Sequence, residues 1–139
     1  MRFMAWHLDY LNAMPTEKGR SDVIAEPVEI RVKNSLLLFV GFEKDDSQNK
    51  VDIIDRAVGE IIKISGNMGV STLVLNPFAH MFADLAPPAE ANAMMMGLMQ
   101  RLAERNFEVH LMSFGYFYEM ELKAKGHKLA RISREIRQK

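Results

Sequence analysis

Apolar and charged residues alternate over Val28-Glu29-Ile30-Arg31-Val32, the two-residue period of a half-exposed strand. Leu36-Leu37-Leu38-Phe39-Val40 is continuously apolar, which fits a central strand running to about Phe42. With Asn34 as a turn, 28–32 and 36–42 read as a hairpin. Upstream, 1–9 reads as a strand carrying Phe3, Ala5 and Trp6. Pro15 and Gly19 mark 11–22 as a turn or loop. Downstream the period changes to that of a helix. Ile54, Val58, Ile61 and Ile62 share one face, Asn49 is placed to cap the start, and Gly66 and Gly69 end it. Residues 71–75 predict a short buried strand that leads into Pro77-Phe78-Ala79-His80. A second helix begins at Pro87-Pro88, shows Met95, Leu98 and Leu102 as its stripe, and stops near Asn106. Strands at 108–113 and 116–123 follow, and 128–139 reads as a short helix. The order is β, β-hairpin, α, β, α, β, β, α. An α/β fold with a mixed sheet covered by two long helices packs it most economically.

Composition narrows the function classes. A chain of 139 residues is expected to form a single domain over 1–139. It has no cysteine, which excludes disulfides, thiolate metal ligands and thiol catalysis. The longest apolar run is too short for a membrane span, and no targeting segment is expected at the start. Lys+Arg and Asp+Glu are both 18, so no general electrostatic grip on nucleic acid is expected. Contact with RNA would be local or shared with another domain. Residues 119–139 carry seven Lys/Arg against three Glu. That stretch is either a solvated terminal segment or a local phosphate-facing edge.

The candidate chemistry is sparse. The four histidines, His7, His80, His110 and His127, form no metal-binding spacing. His110 sits in an alternating, edge-like strand. His80 follows a buried strand in a proline-marked loop, a place where α/β folds put ligands. It is either a hydrogen-bonded structural residue or a polar group in a pocket. Phe114-Gly115-Tyr116-Phe117-Tyr118 is either core aromatics around a glycine bulge or a stacking platform for a base. Met94-Met95-Met96 cannot all face one way on a helix, so some fill the core and others are free to reach a subunit contact.

Taken together, His7, Asp9-Tyr10, Pro77-Phe78-Ala79-His80, Leu85-Ala86, Pro88, Phe114-Gly115-Tyr116, Lys125-Gly126-His127, Leu129-Ala130 and Ser133-Arg134 resemble the N-terminal editing domain of archaeal-type threonyl-tRNA synthetases. The resemblance implies a D-aminoacyl-tRNA deacylase-like fold. It also implies a cytoplasmic, dimeric, cofactor-free and metal-free hydrolase that removes serine from mischarged threonine tRNA and spares threonine. The partners it implies are the serine-bearing 3′ end of that tRNA and the rest of a synthetase, joined or separate.

By the same resemblance, Phe78 and Ala79 offer main-chain groups to the substrate, and the tRNA 2′-hydroxyl helps to position water. His80 contacts the serine hydroxyl or amine, and Tyr118 assists. Phe42, Pro77, Tyr116 and Phe117 wall the pocket. The family typically has Lys, Tyr and Glu where this chain has Tyr118, Phe117 and Arg131, and Arg131 is expected to face RNA phosphate. Those departures keep two alternatives open: a non-catalytic module that binds the tRNA end or an amino acid, and a D-aminoacyl-tRNA deacylase. A third reading is a dimerisation domain that uses the methionine-rich helix.

Overall fold

A computed structural model describes residues 1–20, 22, 26–81 and 84–138. In it the apolar run 36–40 becomes the middle of a mixed sheet. Among the described residues the elements are β1 (Arg2–Lys18), β2 (Ile30–Gly41), α1 (Lys50–Met68), β3 (Thr72–Pro77), α2 (Pro88–Ala103), β4 (Glu108–Leu111), β5 (Tyr116–Ala124) and β6 (Arg131–Glu135). The strands lie in the order β4-β3-β2-β1-β5, and β6 also pairs with β1. β2-β3 and β3-β4 are parallel, so α1 and α2 are the crossovers such pairs require. β1 runs antiparallel to β2, β5 and β6. This is the α/β architecture that the periodicity predicts, a mixed sheet with two long helices.

The middle of the sheet is apolar on both faces, which is why the second half of β2, 36–40, reads as an unbroken apolar run. Leu36, Leu38 and Val40 pack with Ile54, Val58 and Ile61 of α1 and with Met94, Met95, Leu98 and Leu102 of α2. Leu37 and Phe39 point the other way, into a second cluster with Leu8, Leu11, Val74 and Met112. Met94 and Met95 are buried while Met96 is 45% exposed, the split expected of consecutive helical positions. Gly69, at φ 65°, closes α1 by donating its N–H to the carbonyls of Ser65 and Gly66. Gly66 lies inside the helix instead of ending it. Asn49 occupies the N-cap position of α1 but makes no side-chain cap bond, because a 3-10 turn over Asp46–Asn49 already leads into the helix.

Three further sequence expectations are corrected. The segment 28–42 is not a hairpin: β2 is one strand, and Asn34 sits inside it at φ 43°. Its ladder with β1 continues on both sides, with Leu8 opposite Ser35 and Tyr10 opposite Lys33. The period nevertheless slips by one residue in both strands. In the second cluster, Leu37 and Phe39 give way to Ile30, and Leu8 gives way to Leu11 and Ala13. A matching irregularity in the β1–β5 ladder falls between Leu8 and Tyr10.

Residues 11–18 are not a loop but the second half of β1, paired with β5. Beyond Ala13 β2 no longer pairs. Pro15 therefore falls on a stretch with one paired side, beside an irregular step in the β5 ladder, where strands tolerate proline. The tail is not a helix: β6 pairs along Arg2–Trp6. Burial of Ala130 and Ile136, with Ile132 packed on the helix-side core, overrides the helix propensity of its Lys, Arg and Glu.

Candidate functional site

The parallel strands end together, and a cavity of 560 Å³ opens at their carboxyl ends. That size is ordinary for a small-molecule site, and the place is where open α/β sheets bind ligands. Val40–Phe42 leave β2 on one side, and Pro77, Phe78 and Ala79 leave β3 beside them. The Phe78 N–H donates to the Val40 carbonyl at 2.8 Å, which locks the two strand ends together. The next segment is pinned as well. The Ala86 N–H donates to the Phe42 carbonyl at 3.1 Å, and Lys44 N–H to the Asp84 carbonyl at 2.9 Å. That clamp brings Leu85–Pro88 and the first turns of α2, with Ala91 and Met95, to the cavity wall.

The remaining wall is Gly19 and Arg20 from the end of β1, with Phe114–Phe117 leading into β5. Two glycines make this seam. Gly115 takes φ 86°, a left-handed conformation that favours glycine. Gly19 donates to the Gly115 carbonyl at 2.6 Å, and a Cβ on Gly19 would stand 3.0 Å from that oxygen.

The cavity thus gathers Phe42, Pro77, Phe78, Ala79, Tyr116 and Phe117 of the residues expected from sequence. Phe42 is 3% exposed and rigidly held, whereas Phe117 is 59% exposed at the rim. The backbone of His80 lies in a 3-10 turn over Ala79–Met81, while its side chain lies outside what the structure describes.

Tyr118 and Arg131 are elsewhere. The Tyr118 hydroxyl accepts from the Ser113 N–H at 2.8 Å and donates to the Val28 carbonyl at 2.7 Å. The Ser113 hydroxyl in turn donates to the Glu26 carbonyl at 2.6 Å, so residues 26–28 are clasped to the residue that precedes the aromatic segment 114–117. Arg131 stacks over Trp6, with its guanidinium carbon 5.9 Å from the ring centroid, and donates to the Lys125 carbonyl. Much of the basic tail is spent on local pairs. Lys123 and Lys125 meet Asp9, Arg134 meets Glu60, and Arg137 meets Glu135. The Lys125 hydrogen bond holds the Asp9 carboxyl below its ordinary value.

Sequence reading missed Arg20 and the clamp at 84–86, and it placed Gly19 only as a turn marker. Among the described lining residues, Arg20 and Tyr116 have the polar side chains, and no carboxylate or imidazole stands with them. Beside these two side chains, the described lining offers backbone N–H groups as donors. Ala79 opens its 3-10 turn, and the first N–H groups of a helical turn have no partner within it.

Histidines group at a second place, away from the cavity lining. His7 is 6% exposed, with Nδ1 2.9 Å from His127 Nε2 and Nε2 2.9 Å from Asn34 Oδ1. The Leu129 N–H donates to His127 Nδ1. That assigns the hydrogen to His127 Nε2, makes His7 Nδ1 the acceptor, and leaves the His7 Nε2–H to donate to Asn34. The relay fastens the 125–130 connection where β1 changes partner from β6 to β5: His7 N–H donates to the Ala130 carbonyl, and the His7 carbonyl accepts from Lys125. Both reactive nitrogens of each ring are thus occupied, which is a structural use. His110 contacts Glu108 on the edge strand β4. Among the described residues no three His, Asp or Glu side chains gather as a metal site, and no helix is long and apolar enough to cross a membrane.

A family model described as the Archaea-specific editing domain of threonyl-tRNA synthetase matches residues 1–136. The chain is 35% identical over 136 residues to a threonine–tRNA ligase of Methanococcus vannielii, covering 98% of this chain and 22% of the relative. It is 30% identical over 139 residues to that of Pyrococcus furiosus, with the same coverage. The chain thus spans about a fifth of the length of these relatives. A solved structure titled c-Myc DNA Unwinding Element Binding Protein superposes with a TM-score of 0.72 at 9% identity, covering 97% of this chain and 98% of that one. That likeness is one of fold, the deacylase-like arrangement of a curled mixed sheet and two helices.

Proposed function

The chain belongs to the family of the Archaea-specific editing domain of threonyl-tRNA synthetase, and from that premise we propose that it hydrolyses serine wrongly esterified to threonine tRNA and spares threonine. The observation that carries the reading is the apolar cavity at the ends of β2 and β3, walled by Phe42, Pro77, Phe78, Ala79, Tyr116 and Phe117. It receives the 3′-terminal adenosine with its amino acid. Discrimination by attraction alone is weak, since a methyl in a pocket contributes about 1–3 kcal/mol. A packed wall works in the other direction, because forcing an extra methyl into it costs about 1–3 kcal/mol. Phe42, buried and clamped by the Ala86 bond, is that wall. Threonine stays outside and serine enters.

Hydrolysis adds water to the ester carbonyl carbon. The tetrahedral oxyanion forms, the bond to the ribose oxygen breaks, and that oxygen takes a proton. The Phe78 N–H is already committed to the Val40 carbonyl, so the Ala79 N–H is the donor assigned to the oxyanion. The tRNA's own 2′-hydroxyl positions the water, as the family resemblance implies. His80 contacts the serine hydroxyl or amine. Tyr118 acts through position, holding Ser113 and the 26–28 segment behind the aromatic wall.

Ala79→Pro tests this directly. Proline suits the first position of a helical turn and removes only the N–H. Deacylation of Ser-tRNA(Thr) is expected to fall by about 10²–10³, the effect of losing one oxyanion donor. An undiminished rate in a folded variant would refute the assignment.

The wider context is proposed on the same footing: the chain works as a cytoplasmic homodimer beside or within a synthetase. Faster hydrolysis of a D-aminoacyl-tRNA than of Ser-tRNA(Thr) would instead favour the other activity of this fold.

A further inference from the structure

Arg20 is the one cation on the wall of the cavity, among the described residues. It is exposed at the rim, and no described carboxylate or carbonyl pairs with it. This contrasts with Lys123, Lys125, Arg134 and Arg137, each engaged by an acid. Nor is its placement free. The preceding residue, Gly19, is stitched to Gly115 by a 2.6 Å hydrogen bond that leaves a Cβ on Gly19 only 3.0 Å from the Gly115 oxygen. The seam therefore delivers Arg20 beside Tyr116 and Phe117 at the mouth of an otherwise apolar box.

An unpaired guanidinium at the mouth of an apolar cavity is a receptor for an oxyanion, and its planar fork suits phosphate. The aminoacylated end of a tRNA offers one kind of anion. The amino acid's carboxyl is esterified and its amine is cationic, so the ester end repels Arg20, and the phosphodiester attracts it. We propose that Arg20 binds the phosphodiester group adjoining the terminal adenosine, and thereby fixes which way round the substrate lies. The phosphate rests on the Gly19–Gly115 seam, and the ester is directed away from it. This assignment rests on the editing reading of the cavity.

Two stable analogues separate the parts of this argument: 3′-deoxy-3′-(L-serylamino)adenosine with and without a 5′-phosphate. Both are titrated calorimetrically against the chain and against Arg20→Ala and Arg20→Lys, with circular dichroism confirming the fold. The parent chain is expected to bind the phosphorylated analogue about ten-fold tighter, the scale of one charge-assisted contact. Arg20→Ala erases that preference and leaves the unphosphorylated analogue bound as before. Arg20→Lys keeps part of it, since the charge survives and the fork does not. A parent chain with equal affinity for the two analogues overturns the assignment and leaves the editing reading standing. So does an Arg20→Ala variant that retains the preference or weakens both analogues alike. A parent chain that binds neither analogue overturns both.

Discussion

Replacing Tyr118 with phenylalanine removes one oxygen atom and separates two roles for this side chain. That oxygen accepts from the Ser113 N–H and donates to the Val28 carbonyl, at 2.8 and 2.7 Å. Ser113 is 5% exposed, so its N–H loses a partner that water cannot readily replace. Val28 is 45% exposed, and its carbonyl can turn to solvent. The first loss is worth about 1–3 kcal/mol and the second less than about 1 kcal/mol. A total near 2 kcal/mol corresponds to a fall in Tm of roughly 5–10 °C for a chain of this size. Urea unfolding of the two proteins gives the stability difference, with an unchanged slope expected. Single-turnover deacylation of Ser-tRNA(Thr), well below the lower Tm, gives the chemistry. The structural role predicts a rate within a few-fold of the parent. A variant as stable as the parent but slower by about 10² or more, the range of a lost general acid or base, would refute the reasoning and return the phenol to the chemical step.

Other expectations follow from the seam, the relay and the Asp9 carboxylate, which meets two lysines. Gly19→Ala places a Cβ 3.0 Å from the Gly115 oxygen, so it should cost about 1 kcal/mol in urea unfolding and lower kcat/KM for Ser-tRNA(Thr); unchanged kinetics would show that the seam does not shape the site. His7→Ala and His127→Ala should each destabilise the chain, and a double-mutant cycle should give a coupling above about 0.5 kcal/mol; strict additivity would dismantle the relay. Asp9, held below its ordinary value chiefly by the Lys125 hydrogen bond, contributes stability that is present above the unfolded carboxylate pKa, near 3.9, and is lost as the pH falls through the lowered folded value. An Asp9→Asn chain should therefore lose less stability than the parent between pH 5 and pH 2, with the difference shrinking in added salt; parallel pH profiles would contradict the pairing.

What could be read from the chain, and what could not, follows from where period and burial agree. The helices and the core of the central strand were legible because each has one dominant environment: α1 and α2 show a single apolar stripe, and 36–41 of β2 is buried on both faces. The slip at Asp9 and Asn34 hid the unity of β1 and β2. Both strands lose step there together, so each looks like two shorter segments with a turn between them, although the β1–β2 register is the same on both sides of the slip. The tail misleads for a different reason. Its even positions Ala130, Ile132 and Ile136 carry the strand signal, but Arg134 interrupts it and the surrounding charges favour a helix.

For the site, the loop after β3 and the glycine in the aromatic run were visible as chemistry-bearing places. The orientation of Tyr118 was not, since a strand residue's partner 90 positions away leaves no local trace. Arg20 lacked a signal for the same reason: its place at the cavity depends on Gly19 meeting Gly115.

The central claim is that this cavity removes serine from threonine tRNA and rejects threonine. The most direct measurement is the hydrolysis of Ser-tRNA(Thr) and Thr-tRNA(Thr) by this chain alone, each against a no-protein control. The account predicts rapid loss of serine with threonine retained, and serine preferred by at least about ten-fold, the size of the penalty for one extra methyl. Equal hydrolysis of both would contradict the wall at Phe42. Binding of the tRNA end with no hydrolysis of either would contradict catalysis itself and leave a binding module in its place.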